Sequence, residues 1–119
     1  AIKEAVGEKK AIKRYGSAIL PMDEALILCA IDLSGRPYFA YDATYTVPRI
    51  GTLDSEMIHD FFYSVSYTSF MNLHIRQLAG SNNHHIAEGS FKAFAKALDM
   101  ATMYEDRLNG AVWSTKGVL

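Results

Sequence analysis

The sequence predicts an α+β domain with the element order β-β-β-α-β-α, in which a four-stranded sheet carries two helices on one face. Three observations lead to this prediction. An unbroken apolar run at residues 25–31 has the length of a buried strand, and residues 38–45 alternate aromatic with small or polar side chains. Two later segments, about 54–70 and 82–103, repeat apolar residues at the spacing of an amphipathic helix.

The first half of the chain supplies three of the predicted strands. Residues 1–7 have the pattern of the last two turns of a helix that ends at Gly7. A strand follows at 15–20, and the apolar run 25–31 predicts a second strand buried on both faces. Gly35, in the segment Ser34–Pro37, predicts a hairpin turn into the third strand.

The second half supplies two helices and the fourth strand. Asp54 is predicted to cap a helix that runs to about Phe70, with its apolar stripe at Met57, Ile58, Phe61, Phe62 and Val65. Residues 73–78 form the fourth strand. Asn82 or Asn83 then caps a helix to about Met103, with its core face at Ala87, Phe91, Phe94, Ala95 and Leu98.

Composition excludes several classes of protein. The chain has 119 residues, with 12 Lys and Arg against 13 Asp and Glu, so no basic field favours nucleic acid. No apolar run approaches the roughly 18 residues that a membrane-spanning helix needs. The single cysteine, Cys29, lies in the apolar strand and is predicted to be a small core residue of a protein from a reducing, cytoplasmic compartment.

The segment that opens the second helix has the residue types of a metal site. His84 and Glu88 are four residues apart, so their side chains lie on one helix face, and Lys92 continues the row. His85 lies about 100° round the helix from His84, so the two imidazoles point in different directions, which suggests two metals rather than one. Imidazoles and carboxylates bind Zn²⁺, Mn²⁺ or Fe²⁺. The alternative from spacing alone is a set of solvated polar residues in the first turn.

A second group of residues has the chemistry of a phosphate site. Arg14, Arg36 and Lys116 each stand next to, or near, a glycine whose backbone N–H is accessible. Guanidinium and ammonium groups beside free N–H groups are what a phosphate needs. Taken one at a time, each residue is better explained as a solvated surface charge.

Several motifs together resemble one enzyme family along the whole chain. They are Lys13-Arg14-Tyr15-Gly16-Ser17, Pro21-Met22-Asp23-Glu24-Ala25-Leu26, Asp32-Leu33-Ser34-Gly35-Arg36-Pro37-Tyr38, Leu73-His74-Ile75-Arg76, His84-His85-Ile86-Ala87-Glu88, Phe91-Lys92-Ala93-Phe94-Ala95 and Ser114-Thr115-Lys116-Gly117-Val118-Leu119. In this order and spacing they resemble imidazoleglycerol-phosphate dehydratase of histidine biosynthesis. The resemblance implies a unit of the ribosomal protein S5 domain 2-like type.

The resemblance also implies a reaction and a set of roles. The family is a manganese lyase with two metals per site, and Zn²⁺, Fe²⁺ or Co²⁺ are possible substitutes. It converts imidazole glycerol phosphate to imidazole acetol phosphate. His84, His85 and Glu88 match metal-binding and catalytic positions. The substrate- and phosphate-contacting positions match Arg14, Arg36, Lys92, Ser114, Thr115 and Lys116.

One position departs from the family pattern. Many relatives have a histidine ligand directly before the Phe-Phe pair of the first helix, where this chain has Asp60 preceded by His59. A carboxylate can bind Mn²⁺, so Asp60 is the predicted ligand, and a one-residue shift that brings in His59 is the alternative.

The resemblance predicts that the chain is one half of a larger subunit. Residues 1–7 would be the end of a helix from an upstream unit, and residues 8–119 the second metal- and phosphate-binding unit. The family assembles into a homo-oligomer of cubic symmetry with twenty-four subunits, without nucleic acid or membrane partners. Two other interpretations stay open: a metal-dependent hydrolase, and a metal-stabilised assembly module that lacks its catalytic half.

Overall fold

The computed structural model describes residues 1–119, and it confirms the predicted order of the main elements. A small hairpin before the first long helix was not predicted, because its two strands have only two residues each and are too short to show a period. The elements in chain order are α1 (Ile2–Val6), β1 (Tyr15–Met22), β2 (Ala25–Asp32), β3 (Tyr38–Asp42), β4 (Arg49–Ile50), β5 (Leu53–Asp54), α2 (Glu56–Ser69), β6 (Asn72–Ala79), α3 (Asn83–Thr102) and a single 3₁₀ turn at Asp106–Leu108.

The main sheet has the strand order β1-β2-β6-β3. β6 is antiparallel to β2 and parallel to β3, so it lies between two strands that are neighbours in sequence. The predicted hairpin between β2 and β3 is therefore wrong, although Gly35 does have the positive φ, 79°, expected at its bend. The parallel pair β3 and β6 needs a crossover, and α2 supplies it.

Both long helices cover the same face of the sheet. On β2 the side chains of Ala25, Ile27, Cys29 and Ile31 are buried, whereas the alternating residues are only half-buried. The prediction that this strand is buried on both faces is wrong, because no element covers the second face. Cys29 is a core residue as predicted, and burial raises the pKa of its thiol to about 12.

α3 lies directly on β1 and β2 through small residues. Gly89, Ser90, Ala93, Ala97 and Ala101 are its buried residues in the middle and last turns. A Cβ atom on Gly16 of β1 would lie 1.8 Å from the carbonyl oxygen of Ala97, so glycine is required at that crossing.

The predicted core face of α3 is therefore only partly correct. Ala87 is buried, but Ala95 is exposed, and Phe91, Phe94 and Leu98 are half-buried. The phenylalanines face α2, where the ring of Phe62 lies 4.8 Å from that of Phe91 and 5.4 Å from that of Phe94. Large side chains fill the space between the helices, and small ones let the helix approach the sheet.

α2 begins at Glu56 rather than at an Asp54 cap. Asp54 lies in β5, and its carboxylate accepts a hydrogen bond from Arg49, so the cap prediction is wrong. Ile58 and Phe62 of the predicted stripe are fully buried and Val65 is half-buried, but Met57 and Phe61 are about half exposed. None of the helices combines the length and hydropathy that crossing a bilayer requires.

Candidate functional site

The first turns of α3 present two histidines and a glutamate at the protein surface. Asn82 caps the helix by accepting a hydrogen bond from the backbone N–H of His85, so the turn that carries both histidines is well defined. Nε2 of His84 lies 3.0 Å from Oε2 of Glu88, as their four-residue spacing predicts. The two imidazole rings are 6.2 Å apart and inclined by 71°, so they face different directions.

Glu88 has a second basic partner. Its Oε1 atom lies 2.6 Å from Nζ of Lys92, one turn further along α3. The hydrogen bond from Lys92, with a smaller contribution from His84, holds the pKa of Glu88 below its ordinary value. The carboxylate is therefore ionised near neutral pH and can serve as an anionic ligand or as a proton acceptor.

His85 is held by Glu24, a residue for which the sequence predicted no role. Nδ1 of His85 lies 2.7 Å from Oε2 of Glu24, which lies in the turn between β1 and β2. That hydrogen bond, together with the one donated by the backbone N–H of Asn82, lowers the pKa of Glu24 to about 2. In turn, Glu24 raises the pKa of His85.

A separate cleft brings together residues from distant parts of the chain. Its volume is about 290 Å³, and it lies between the start of β1, the turn after β2 and the C-terminal tail. Five of its lining residues are the predicted phosphate-contacting residues Arg14, Arg36, Ser114, Thr115 and Lys116. Neither Arg36 nor Lys116 has a carboxylate within ion-pair distance, so both carry uncompensated positive charge.

Arg14 has a different position in this cleft. Its side chain is only 11% exposed, and its Nε and Nη2 atoms donate to the two carboxylate oxygens of Asp32 at 2.6 and 3.2 Å. Its Nη1 atom donates to the carbonyl of Trp113 at 2.8 Å. Arg14 therefore ties the tail to the sheet, and its charge is largely balanced by Asp32.

The donor set fits a divalent metal, but this chain does not complete a coordination shell. No three His, Cys, Asp or Glu side chains are arranged so that they could hold one ion. The α3 side chains instead form two incomplete sets of metal donors: His84 with Glu88, and His85 by itself. Zn²⁺ takes about four ligands and Mn²⁺ about six, so neither set on its own fills the coordination shell of either ion.

Comparison with known proteins identifies the family. The profile of the family described as imidazoleglycerol-phosphate dehydratase matches residues 1–98. The chain belongs to this family.

Individual relatives of the imidazoleglycerol-phosphate dehydratase family agree with this assignment. The enzyme from Lachnoclostridium phytofermentans is 58% identical over the whole chain, which covers 60% of that relative. Chloroplastic imidazoleglycerol-phosphate dehydratase 1 from Arabidopsis thaliana is 51% identical over the whole of this chain, which covers 44% of the length of that relative. The chain thus spans about 60% of the length of the bacterial relatives.

Solved structures of the family share the fold. The dehydratase from Pyrococcus furiosus matches the whole chain and 64% of its own chain, with a TM-score of 0.86 and 37% identity. The Staphylococcus aureus dehydratase matches 87% of this chain and 61% of its own, with a TM-score of 0.84 and 38% identity. The predicted α+β fold with its four-stranded sheet is confirmed.

Not all residues assigned from the resemblance to the dehydratases come together. Lys92 lies with Glu88 on α3 and does not line the cleft that contains Arg36 and Lys116. Asp60 is exposed on α2, and its carboxylate lies 3.4 Å from His59, the residue weighed as its alternative. Neither residue joins the two α3 histidines within this chain.

Two residues near the candidate site had no signal in the sequence. Glu24 is 61 positions from His85, so no local period connects them. Lys9 belongs to a basic turn that looks solvated, yet it is only 8% exposed. Burial and the nearby Arg14 lower the pKa of Lys9. Only the tertiary fold places either residue beside the site.

Proposed function

We propose that the chain forms the second half of a hydro-lyase that converts imidazole glycerol phosphate to imidazole acetol phosphate in histidine biosynthesis. In this proposal residues 1–7 end a helix of an upstream unit, and residues 8–119 form the second metal- and phosphate-binding unit. The observation that carries the proposal is the pairing of two features in a chain of this family: an imidazole and carboxylate cluster on α3, and a cationic cleft built from Arg36, Lys116 and the tail.

The reaction requires the loss of a hydroxyl from one carbon and of a proton from the neighbouring carbon, which gives an enol that tautomerises to the ketone. Neither step is easy in water, because the proton is not acidic and hydroxide is a poor leaving group. Divalent metals bound at the α3 cluster would supply Lewis acidity toward the imidazole ring of the substrate.

The residues of this chain have three tasks in the proposed reaction. His84, His85 and Glu88 hold metal, and Glu88 is also placed to carry a proton because it is ionised and partly exposed. Lys92 fixes the carboxylate of Glu88 and contacts substrate from the same helix face. The cleft that contains Arg36 and Lys116 holds the phosphate and so fixes the position of the reacting carbons.

The metal is proposed to be Mn²⁺, with two ions per site, and Asp60 is proposed as a ligand supplied across a boundary between units. Cytoplasmic location and the absence of nucleic-acid or membrane partners stay predictions, and two plant relatives are named as chloroplastic.

The direct test of the proposed function is ketone formation from imidazole glycerol phosphate by the full-length protein loaded with Mn²⁺. Bound metal without this turnover would favour a hydrolase or an assembly module instead.

Removing the free cations of the cleft should weaken substrate binding. We expect Lys116→Met or Arg36→Met to raise KM about 10- to 100-fold with a smaller effect on kcat, since one charge-assisted hydrogen bond is worth about 1.5–3 kcal/mol. Steady-state kinetics measures both constants. The control is Lys96→Met, which removes an exposed lysine of α3 outside the cleft. An unchanged KM in both cleft variants would show that the phosphate binds elsewhere.

Metal removal should loosen the proposed high-order homo-oligomer of cubic symmetry. This chain supplies too few ligands to close a coordination shell, so the metals are expected to join units of different subunits. Light scattering with and without a chelator measures particle size. We expect smaller particles after chelation and recovery when Mn²⁺ is added. A size that stays constant throughout would show that the ligands close within one subunit.

A further inference from the structure

One carboxylate connects the turn between β1 and β2 to the first turn of α3. Oε1 of Glu24 accepts hydrogen bonds from the backbone N–H groups of Asn82 at 2.6 Å and Ser81 at 3.3 Å. Its other oxygen, Oε2, lies 2.7 Å from Nδ1 of His85. Three contacts on two oxygens fix the direction of this side chain.

We propose that Glu24 is a positioning residue that holds His85 in the tautomer with hydrogen on Nδ1, so that Nε2 presents its lone pair as a metal donor. This inference rests on the proposed metal-dependent function. An ionised carboxylate can only accept a hydrogen bond, so the ring nitrogen that faces it carries the proton. Histidines that bind metals commonly donate their second nitrogen to such a partner.

The contact between Glu24 and His85 is not needed to cap the start of α3. The side chain of Asn82 already accepts from the backbone N–H of His85, which is the ordinary N-cap bond. Glu24 adds a bond to the imidazole ring itself, and the two backbone N–H groups hold its carboxylate in place for that bond. A structural cap alone would not require the ring contact.

The two histidines of the cluster are oriented in different ways. His84 faces Glu88 through Nε2 and is 66% exposed at its side chain, and its Nδ1 atom has no hydrogen-bond partner in this chain. His85 is only 25% exposed, and its Nδ1 atom is occupied. On its Nε2 side the nearest acidic group is Asp23, whose Oδ2 lies 3.5 Å away, beyond ordinary hydrogen-bond distance. Nε2 is thus the nitrogen left available.

The experiment compares Glu24→Ala and Glu24→Gln with wild type in the full-length protein. Nitrogen NMR of the metal-free protein, at a pH above the pKa of His85, reports which ring nitrogen of His85 carries the proton. Titration with Mn²⁺ reports metal affinity. The control is Asp42→Asn, which removes an exposed carboxylate that lies 3.6 Å from Arg76, away from α3. Thermal unfolding of each variant shows whether it is folded.

We expect wild type to carry the proton on Nδ1. Glu24→Ala should shift His85 toward the Nε2-protonated form and weaken Mn²⁺ binding about 10- to 100-fold. Glu24→Gln, whose amide oxygen can still accept from Nδ1, should retain the tautomer and lose less affinity. Asp42→Asn should match wild type in both measurements.

An unchanged tautomer in Glu24→Ala would overturn the proposal, whatever happens to metal binding. So would a changed tautomer with wild-type Mn²⁺ affinity, because the orientation would then have no consequence for the metal. A wild-type protein that binds no Mn²⁺ and forms no ketone would overturn the proposed function and the metal-donor role. The tautomer measurement would still decide whether Glu24 orients His85, so the two failures are distinguishable.

Discussion

Replacing His84 by alanine or Glu88 by glutamine in the full-length protein is expected to lower dehydratase turnover at least about 100-fold and to reduce bound metal. His84 and Glu88 face each other at 3.0 Å on α3, and neither side chain is buried. His84→Ala removes a donor nitrogen and Glu88→Gln replaces an anionic donor by a neutral amide, in both cases without opening the core. A metal bound at this cluster would stabilise charge that develops during the reaction, and it would be lost with its ligand. Metal analysis, turnover and circular dichroism of the same preparations measure the effect.

The control for this prediction is His74→Ala. His74 is an exposed histidine of β6 on the uncovered face of the sheet, where its ring stacks on Tyr38. It should keep normal turnover and metal content. If His84→Ala and Glu88→Gln also keep both, the α3 cluster is not the metal site and its residues are ordinary helix surface.

Replacing Gly16 by alanine is expected to lower the free energy of unfolding by about 3 kcal/mol or more. The added Cβ would lie 1.8 Å from the carbonyl oxygen of Ala97 and 2.8 Å from the backbone nitrogen of Ala101. Both neighbours are backbone atoms of α3, so the whole helix has to move away from β1. That movement exposes the alanine stripe packed on the sheet and displaces the helix that carries the candidate metal ligands.

Urea unfolding of wild type and of Gly16→Ala measures this loss of stability. Ser17→Ala is the matched control, because Ser17 is the next residue of β1, is exposed and points to the uncovered face. It should change the free energy of unfolding by no more than about 0.5 kcal/mol. Equal stability of the Gly16 and Ser17 variants would mean that α3 does not lie against β1 as closely as described.

Local sequence was sufficient where the determining interaction spans a few residues. The limits of α3 were predicted closely, because Asn82 is an N-cap whose hydrogen bond reaches only three residues along the chain. The pairing of His84 with Glu88 was predicted for the same reason, since helix geometry alone brings residues four apart onto one face. The resemblance to the family then predicted roles for motifs that lie far apart in the sequence.

The pattern of apolar residues predicted which segments are helices but not which neighbour each residue meets. Phe61 and Met57 fit the apolar stripe of α2, yet both are about half exposed, because the sheet covers only the side of Ile58 and Phe62. The period of apolar residues identifies only that one side of the helix is apolar. It does not distinguish contact with the sheet from contact with another helix or with solvent.

By itself the sequence determined the order of the elements, the α+β class and the residue types available for metal and phosphate. Tertiary structure decided that β6 lies between β2 and β3, that Arg14, Arg36 and the tail form one cleft, and that Glu24 meets His85. The physical reason is the range of the interactions. Propensity, capping and periodicity act within one or two turns, whereas strand pairing and side-chain contacts between remote segments depend on how the whole chain closes around its core.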